Sequence, residues 1–496
     1  MRAPPCRRRR LRVGAAVAFS LAATASFGVR ARAADLDDDA PSEPGPANPA
    51  PTPPAPADEA PALDVPAAPA APASGDGVRT FDRPYLRLVG GEIVLHPGAR
   101  LQVDAAFFPR QNPKSGAYLR RARLELSGWL TRAFYFDVAG DFTPAPPGGP
   151  ASVAPSALSP PDAYLGWAAA GETLMVQVGQ FDAPFTLENR TSDAYTDFIE
   201  RSMVSRSLGA PRNKEVGAMI HGLVGQVFYY SAGVFNGEGP GFRNVDNQPD
   251  AIGRVVLAPF GFSRISIGAS GWYGMHVLGP AFPLQATPGG VTFFSPRWLT
   301  GQSPVATMEL RENGTLSAGA AELNLPVGHH SGFRAEGVLK RQNLSEADVS
   351  FVASGGAPTP LGHAFLNGLA AYGEFWFWLV GDDRQLPAPG LQLPAPFDAA
   401  RLGARAPLED GLMLALRGEV IKEDLTTDRP DLGDPNRATT RVISGTAGLN
   451  YWRGHLVRVS VNYVLNVWSG TSENIRVLRA AGTLEHEVMA RFALSL

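Results

Sequence analysis

The chain has 496 residues, among them 54 Gly, 45 Pro and one Cys. Eight of its 44 basic residues are arginines within the first 33, so the remainder carries 36 bases against 47 acids, a balance that excludes a nucleic-acid binder. The lone Cys6 excludes a disulfide framework.

Residues 1–33 read as a signal peptide. Arg7 to Arg12 form a basic n-region, Val13 to Val29 is small and apolar, and Ala31-Arg32-Ala33 fits an A-x-A cleavage site. Residues 34–78 read as a disordered Ala/Pro-rich acidic linker, because such composition cannot bury enough apolar surface to offset chain entropy. Residues 79–496 are expected to be the folded domain, and their 36 bases and 38 acids leave it close to neutral.

Within that domain the apolar residues alternate. In YLRRARLELSG, Ala122, Leu124 and Leu126 oppose Arg121, Arg123, Glu125 and Ser127. The same period recurs in LVRVSVNYVLNV and, to the last residue, in EHEVMARFALSL. No stretch after residue 33 has the roughly 18 apolar residues of a membrane helix. Strands are expected near 100–108, 118–128, 133–142, 162–169, 173–181, 214–222, 226–235, 251–259, 263–275, 316–325, 331–342, 366–380, 411–423, 440–452, 455–467 and 484–496, with 397–406 a candidate for one more. Tight connections at Trp129 to Arg132 and Trp452 to Gly454 contrast with long ones at 143–161, 182–213, 276–315 and 424–439. The fold expected is all-β, an antiparallel transmembrane β-barrel of about 16 strands with short periplasmic turns and long extracellular loops. A soluble sandwich is the rival, but an Arg facing lipid at mid-depth costs roughly 2–4 kcal/mol. Arg121 and Arg123 must then face water, and their apolar neighbours lipid. Phe107, Phe108, Tyr118, Trp129, Tyr451 and Trp452 are expected in interfacial girdles.

Several blocks resemble the phosphate-selective porin O and P family. They are GARLQVDAAFF at 98–108, YLRRARLELSG with FYFDVAGDF, DAYLGW at 162–167, VGQFDAPFTLENRTSDAYTDFIERS at 178–202, GVFNGEG at 233–239 and GLNYWRGHLVRVSVNYV at 448–464. The resemblance implies a 16-stranded homotrimeric pore in the bacterial outer membrane. It implies passive diffusion of small anionic solutes such as phosphate, with no cofactor and no enzyme activity. Its other partners would be outer-membrane lipid and the barrel assembly machinery. The chain departs from the usual pattern of such barrels in ending on Leu496 rather than an aromatic residue. A plugged barrel with a structural or scaffold role, tethered through its linker, is the alternative.

A pore selects by diameter and by the charges lining its narrow zone. Strand parity gives the lumenal candidates Arg121, Arg123, Arg254, Arg334, Lys340, Arg417, Arg458 and Arg491. A guanidinium can donate two parallel hydrogen bonds to an oxyanion. Pairing with Glu125, Glu336, Glu419 or Glu487 is the competing fate of these cations. The loop that follows Gln180 has the length of a constriction loop, which makes Arg190 and Arg201 secondary candidates. No metal-ligand spacing, nucleophile motif or phosphate-binding loop is present: Glu485-His486-Glu487 lacks the HExxH pattern, and Gly237 to Gly241 precedes no helix.

Overall fold

The computed structural model describes residues 85–496 apart from 111–114, 144–160, 242–243, 263, 301–305, 353–354, 384–385, 396, 398–409 and 455. The proposed signal and linker, and all but one residue of the possible extra strand at 397–406, lie outside the described residues.

Sixteen antiparallel strands close into a barrel. They are β1 (Ile93–Phe107), β2 (Gly116–Trp129), β3 (Phe134–Asp141), β4 (Ala163–Glu172), β5 (Met175–Asp182), β6 (Lys214–Val224), β7 (Phe228–Phe235), β8 (Asp250–Leu257), β9 (Ser266–His276), β10 (Thr307–Val327), β11 (Ser331–Asp348), β12 (Thr359–Val380), β13 (Gly411–Thr427), β14 (Ala438–Arg453), β15 (Val457–Gly470) and β16 (Leu484–Ser495). Each pairs with its neighbours in sequence, and β1 closes the ring against β16, from Arg100 opposite Ser495 to Phe107 opposite Val488. Closure removes every open edge, as a wall facing hydrocarbon requires. All sixteen expected strands are present.

The alternation is realised as read. On β14, Ile443, Leu449 and Tyr451 face outward while Val442, Ser444, Asn450 and Trp452 face the lumen. On β12, Phe375, Phe377 and Leu379 are outward and Glu374, Trp376 and Trp378 inward. Phe107 and Tyr451 stand on the outer surface, but Phe108, Trp129 and Trp452 are buried inside and form no girdle. In the DAYLGW block, Gly166 is dictated by packing: a Cβ there would lie 2.0 Å from the Tyr135 ring. The hairpin-like LVGGEIVLHP is a hairpin, with Leu86–Leu88 paired to the start of β1 across a turn in which Gly90 has φ 66°.

The wall is uneven. Strands β3 to β9 have 8 to 11 residues, whereas β10 to β14 have 16 to 22 and raise one side well above the other. Most connections on the periplasmic rim are short, such as 328–330 between β10 and β11. The exception is 381–410, between β12 and β13, which is one residue shorter than the longest extracellular loop, 183–213.

Candidate pore and constriction

Three connections fold into the barrel. Residues 183–213 follow β5 and include a short π-helical turn at Val204–Gly209. Residues 277–306 carry a two-stranded ribbon, Gln285–Ala286 with Thr292–Phe294. From the opposite rim, residues 386–395 rise to meet the first loop, where the Gly390 amide donates to Thr191 Oγ1 at 2.9 Å. Phe185, Met203, Leu208, Phe282, Phe293 and Phe294 of the two extracellular loops are buried with Trp272, Met308, Leu366 and Ile421 of the wall, forming an apolar core inside the barrel.

The charged lumenal face holds these inserts. Arg100 and Arg121 both pair with Asp193, the latter at 2.7 Å through Nε. Arg120 and Arg491 converge on Glu200 at 2.8 and 3.2 Å. Arg334 pairs with Asp197 at 3.0 Å and with Glu374, and Arg417 with Glu188 at 3.2 Å. Arg458 donates to the carbonyls of Ala194 and Thr196 at 3.1 and 2.6 Å. Wall carboxylates do the same for loop amides. Glu336 accepts from the Leu187 and Glu188 amides at 2.5 and 3.1 Å, Glu419 from Met203 at 2.6 Å, and Glu487 from Gly289 at 2.9 Å. Burial alone would raise the carboxyls of Asp193 and Glu200, but the surrounding guanidiniums hold both well below the usual range. The loop therefore stays ionised and clamped at neutral pH.

All ten sequence-derived candidates lie in the barrel interior, but in different settings. Arg121 and Arg123 face an open recess of about 270 Å³, and Arg123 is only loosely paired, 3.6 Å from Asp141. Arg190 and Arg201 border the same recess from the loop, where they also bond the carbonyls of Asp182, Glu188 and Thr191. Arg254 is paired twice with Glu322, at 2.9 and 2.6 Å, and donates to the Gly390 carbonyl. Arg334, Arg417, Arg458 and Arg491 have the geometry of loop anchors, and Lys340 lies over the Phe282 ring at 5.6 Å. Parity reasoning missed Arg120. A bulge between Gln102 and Val103 of β1 shifts the register opposite it, so Arg120 and Arg121 both turn inward. Arg100 was legible by the same parity as Gln102 and Asp104. Lys214, paired with Asp162 and Asp182 at 2.7 Å, completes the cationic side of the recess.

Residues 97–273 match the model of the family described as phosphate-selective porin O and P. Over that span the chain is similar to the porin O and P family. Among solved structures, a loop L8 deletion mutant of OmpT, an outer membrane protein of Vibrio cholerae, is similar with a TM-score of 0.50 at 10% identity over 81% of this chain and 99% of that one. The outer membrane channel DcaP of Acinetobacter baumannii gives 0.48 at 11% identity over 83% and 99%. No curated protein matches. The first likeness is one of fold, and it agrees with the closed sixteen-strand barrel derived from register. Together with the family match over residues 97–273, it supports the reading of an outer-membrane channel.

Proposed function

We propose that this porin passes small solutes with a preference for oxyanions such as phosphate, and that the recess bounded by Arg100, Arg121 and Arg123 is its selective zone. One observation carries the reading: two guanidiniums, Arg100 and Arg121, share the single carboxylate of Asp193, with Arg123 loosely held beside them. With Asp141 counted the cluster keeps one net positive charge, as does the whole lining of the recess, six bases against five carboxylates. Guanidinium geometry suits an oxyanion passing between them. The description of the matching family as phosphate-selective supports the choice of solute class. The porin would work as a homotrimer exported by its signal peptide and tethered through residues 34–78. Planar-bilayer conductance across a salt gradient tests this. A reversal potential of anionic sign is expected, and one of cationic sign overturns the preference.

A second reading is favoured by the inserts themselves. Loops enter from both rims, touch at Gly390 and Thr191, and enclose an apolar core. A barrel so filled could serve as a plugged scaffold. Correctly folded trimers that conduct nothing in the bilayer would establish it over the channel.

A further inference from the structure

The outward face of the sixteen strands is apolar almost everywhere, and its exceptions are grouped. Among the described residues, the exposed charged side chains within those strands are Arg341 on β11, Lys422 on β13, and Arg441 and Arg453 on β14. Arg453 ends its strand at the periplasmic rim. The other three stand together. Lys422 is directly opposite Arg441 in the ladder, and Arg341 lies two strands away in the row that continues through Asn367 and Asp424 to Thr439.

Their height is shared. Each lies ten to twelve residues from the periplasmic end of its strand. With a rise of about 3.3 Å per residue and a tilt near 40°, that is roughly 25–30 Å up the wall. Below them the outer face is hydrocarbon-like, with Leu339, Leu369, Val420 and Ile443. Above them it is mixed, with the polar Asn343, His363, Thr426 and Thr439 beside Phe365 and Leu361. The apolar band of an outer-membrane barrel is about 25 Å tall. The three cations therefore mark its outer border, where headgroups of the outer leaflet begin.

They are also poorly compensated. Among the described residues, neither Arg341 nor Arg441 has a hydrogen-bond or ion-pair partner for its side chain. Lys422 has only the half-exposed Asp424 at 2.7 Å, and like charges directly opposite in a ladder repel. An outward recess of about 520 Å³ is bordered by Arg341, Asn367, Lys422 and Asp424. We propose that Arg341, Lys422 and Arg441 form a docking site for the phosphate-bearing headgroup of an outer-leaflet lipid, whose acyl chains lie on Leu339, Leu369 and Ile443 below. The two guanidiniums grip phosphate oxygens, and the anion relieves the repulsion between Lys422 and Arg441.

The test uses the full chain, refolded, delipidated in neutral detergent and titrated with lipid A, a bisphosphorylated glycolipid. Native mass spectrometry reads the fraction of protein ions that retain lipid. Wild type should retain it, and R341Q/R441Q should retain at least about fivefold less, since two of the three phosphate-binding cations are gone. R453Q, at the other rim, should behave as wild type. Heat-dependent gel mobility verifies that each variant is folded, and K422Q provides a second, independent variant expected to weaken retention. Equal retention by R341Q/R441Q overturns the proposal, as does equal retention of dephosphorylated lipid A. Competition by millimolar inorganic phosphate with no preference for lipid would reassign the cluster to free anion and overturn the lipid source. Dissociation of the oligomer by R341Q/R441Q with lipid retention unchanged would make the face a contact between copies, again against the proposal.

Discussion

On the proposed reading Asp193 is the residue to change first, because one carboxylate holds Arg100 and Arg121 and faces the recess that Arg123 borders. Asp193→Asn would leave two guanidiniums without their counter-charge. Removing one member of a buried pair costs about 3 kcal/mol. The thermal midpoint of the refolded barrel should fall, and the reversal potential in a salt gradient should move further toward anions. Arg121→Gln combined with Arg123→Gln should move it the other way, with the barrel intact by heat-dependent gel mobility. At this scale parity was a good guide and pairing was not. That Arg121 and Arg123 face water followed from the cost of burying them in lipid. That Arg334 and Arg417 are occupied by Asp197 and Glu188 could not be read, because those acids sit in a loop without periodicity. Arg120 was hidden for another reason: a bulge adds one residue to the count and leaves no mark in composition.

Among the elements, two of the three inserts were not legible in the sequence: the ribbon Gln285–Phe294 and the insert from the periplasmic rim. Residues 386–395 contain Pro and Leu but no alternation, and they read as an ordinary connection. Their place is fixed by long-range bonds. Trp129 Nε1 donates to the Ala395 carbonyl at 2.6 Å, Gln392 Nε2 to Asp182 at 2.5 Å, and Arg254 Nη1 to the Gly390 carbonyl at 2.7 Å. Replacing 387–395 by a short Gly-containing turn should raise single-channel conductance about twofold or more, since a constriction sets the flux. The insert also has an anchor that titrates. Asp383 accepts from the indoles of Trp376 and Trp378 at 2.8 and 2.6 Å, and burial, only partly offset by those donors, pushes its carboxyl up to about 7. A carboxyl raised in the fold binds its proton more tightly there than in the unfolded chain. Its effect is thus a loss of stability as pH climbs from near its ordinary 3.8 to about 7, constant beyond. Thermal midpoints of wild type should decline over that window, and Asp383→Asn should flatten the decline.

For the whole molecule, the barrel was legible because its period is two and its outer face must meet lipid. All sixteen strands could be placed; β1 was underestimated at its lower end, where it starts at Ile93, and β10 to β13 mainly at their upper ends, where β10 starts at Thr307 and β12 at Thr359, above the apolar band. There the alternation no longer separates lipid from water, so the pattern fades while the ladder continues. The ring closes between Ile93 and Ser495. A chain beginning at residue 79 should therefore fold to a heat-resistant barrel with the conductance of the longer chain, as gel mobility and bilayer recording would show.

Closure has a consequence beyond the seam. Asp104 and Arg491 are 387 positions apart, yet they form a two-bonded pair, and the same Arg491 reaches Glu200 of the inserted loop. Without the last strand Glu200 would lack one of its two closest cations, and the lumenal loop part of its mooring. Arg491 is thus at once the seam of the ring and a mooring of the lumenal loop, so a single substitution there should loosen both.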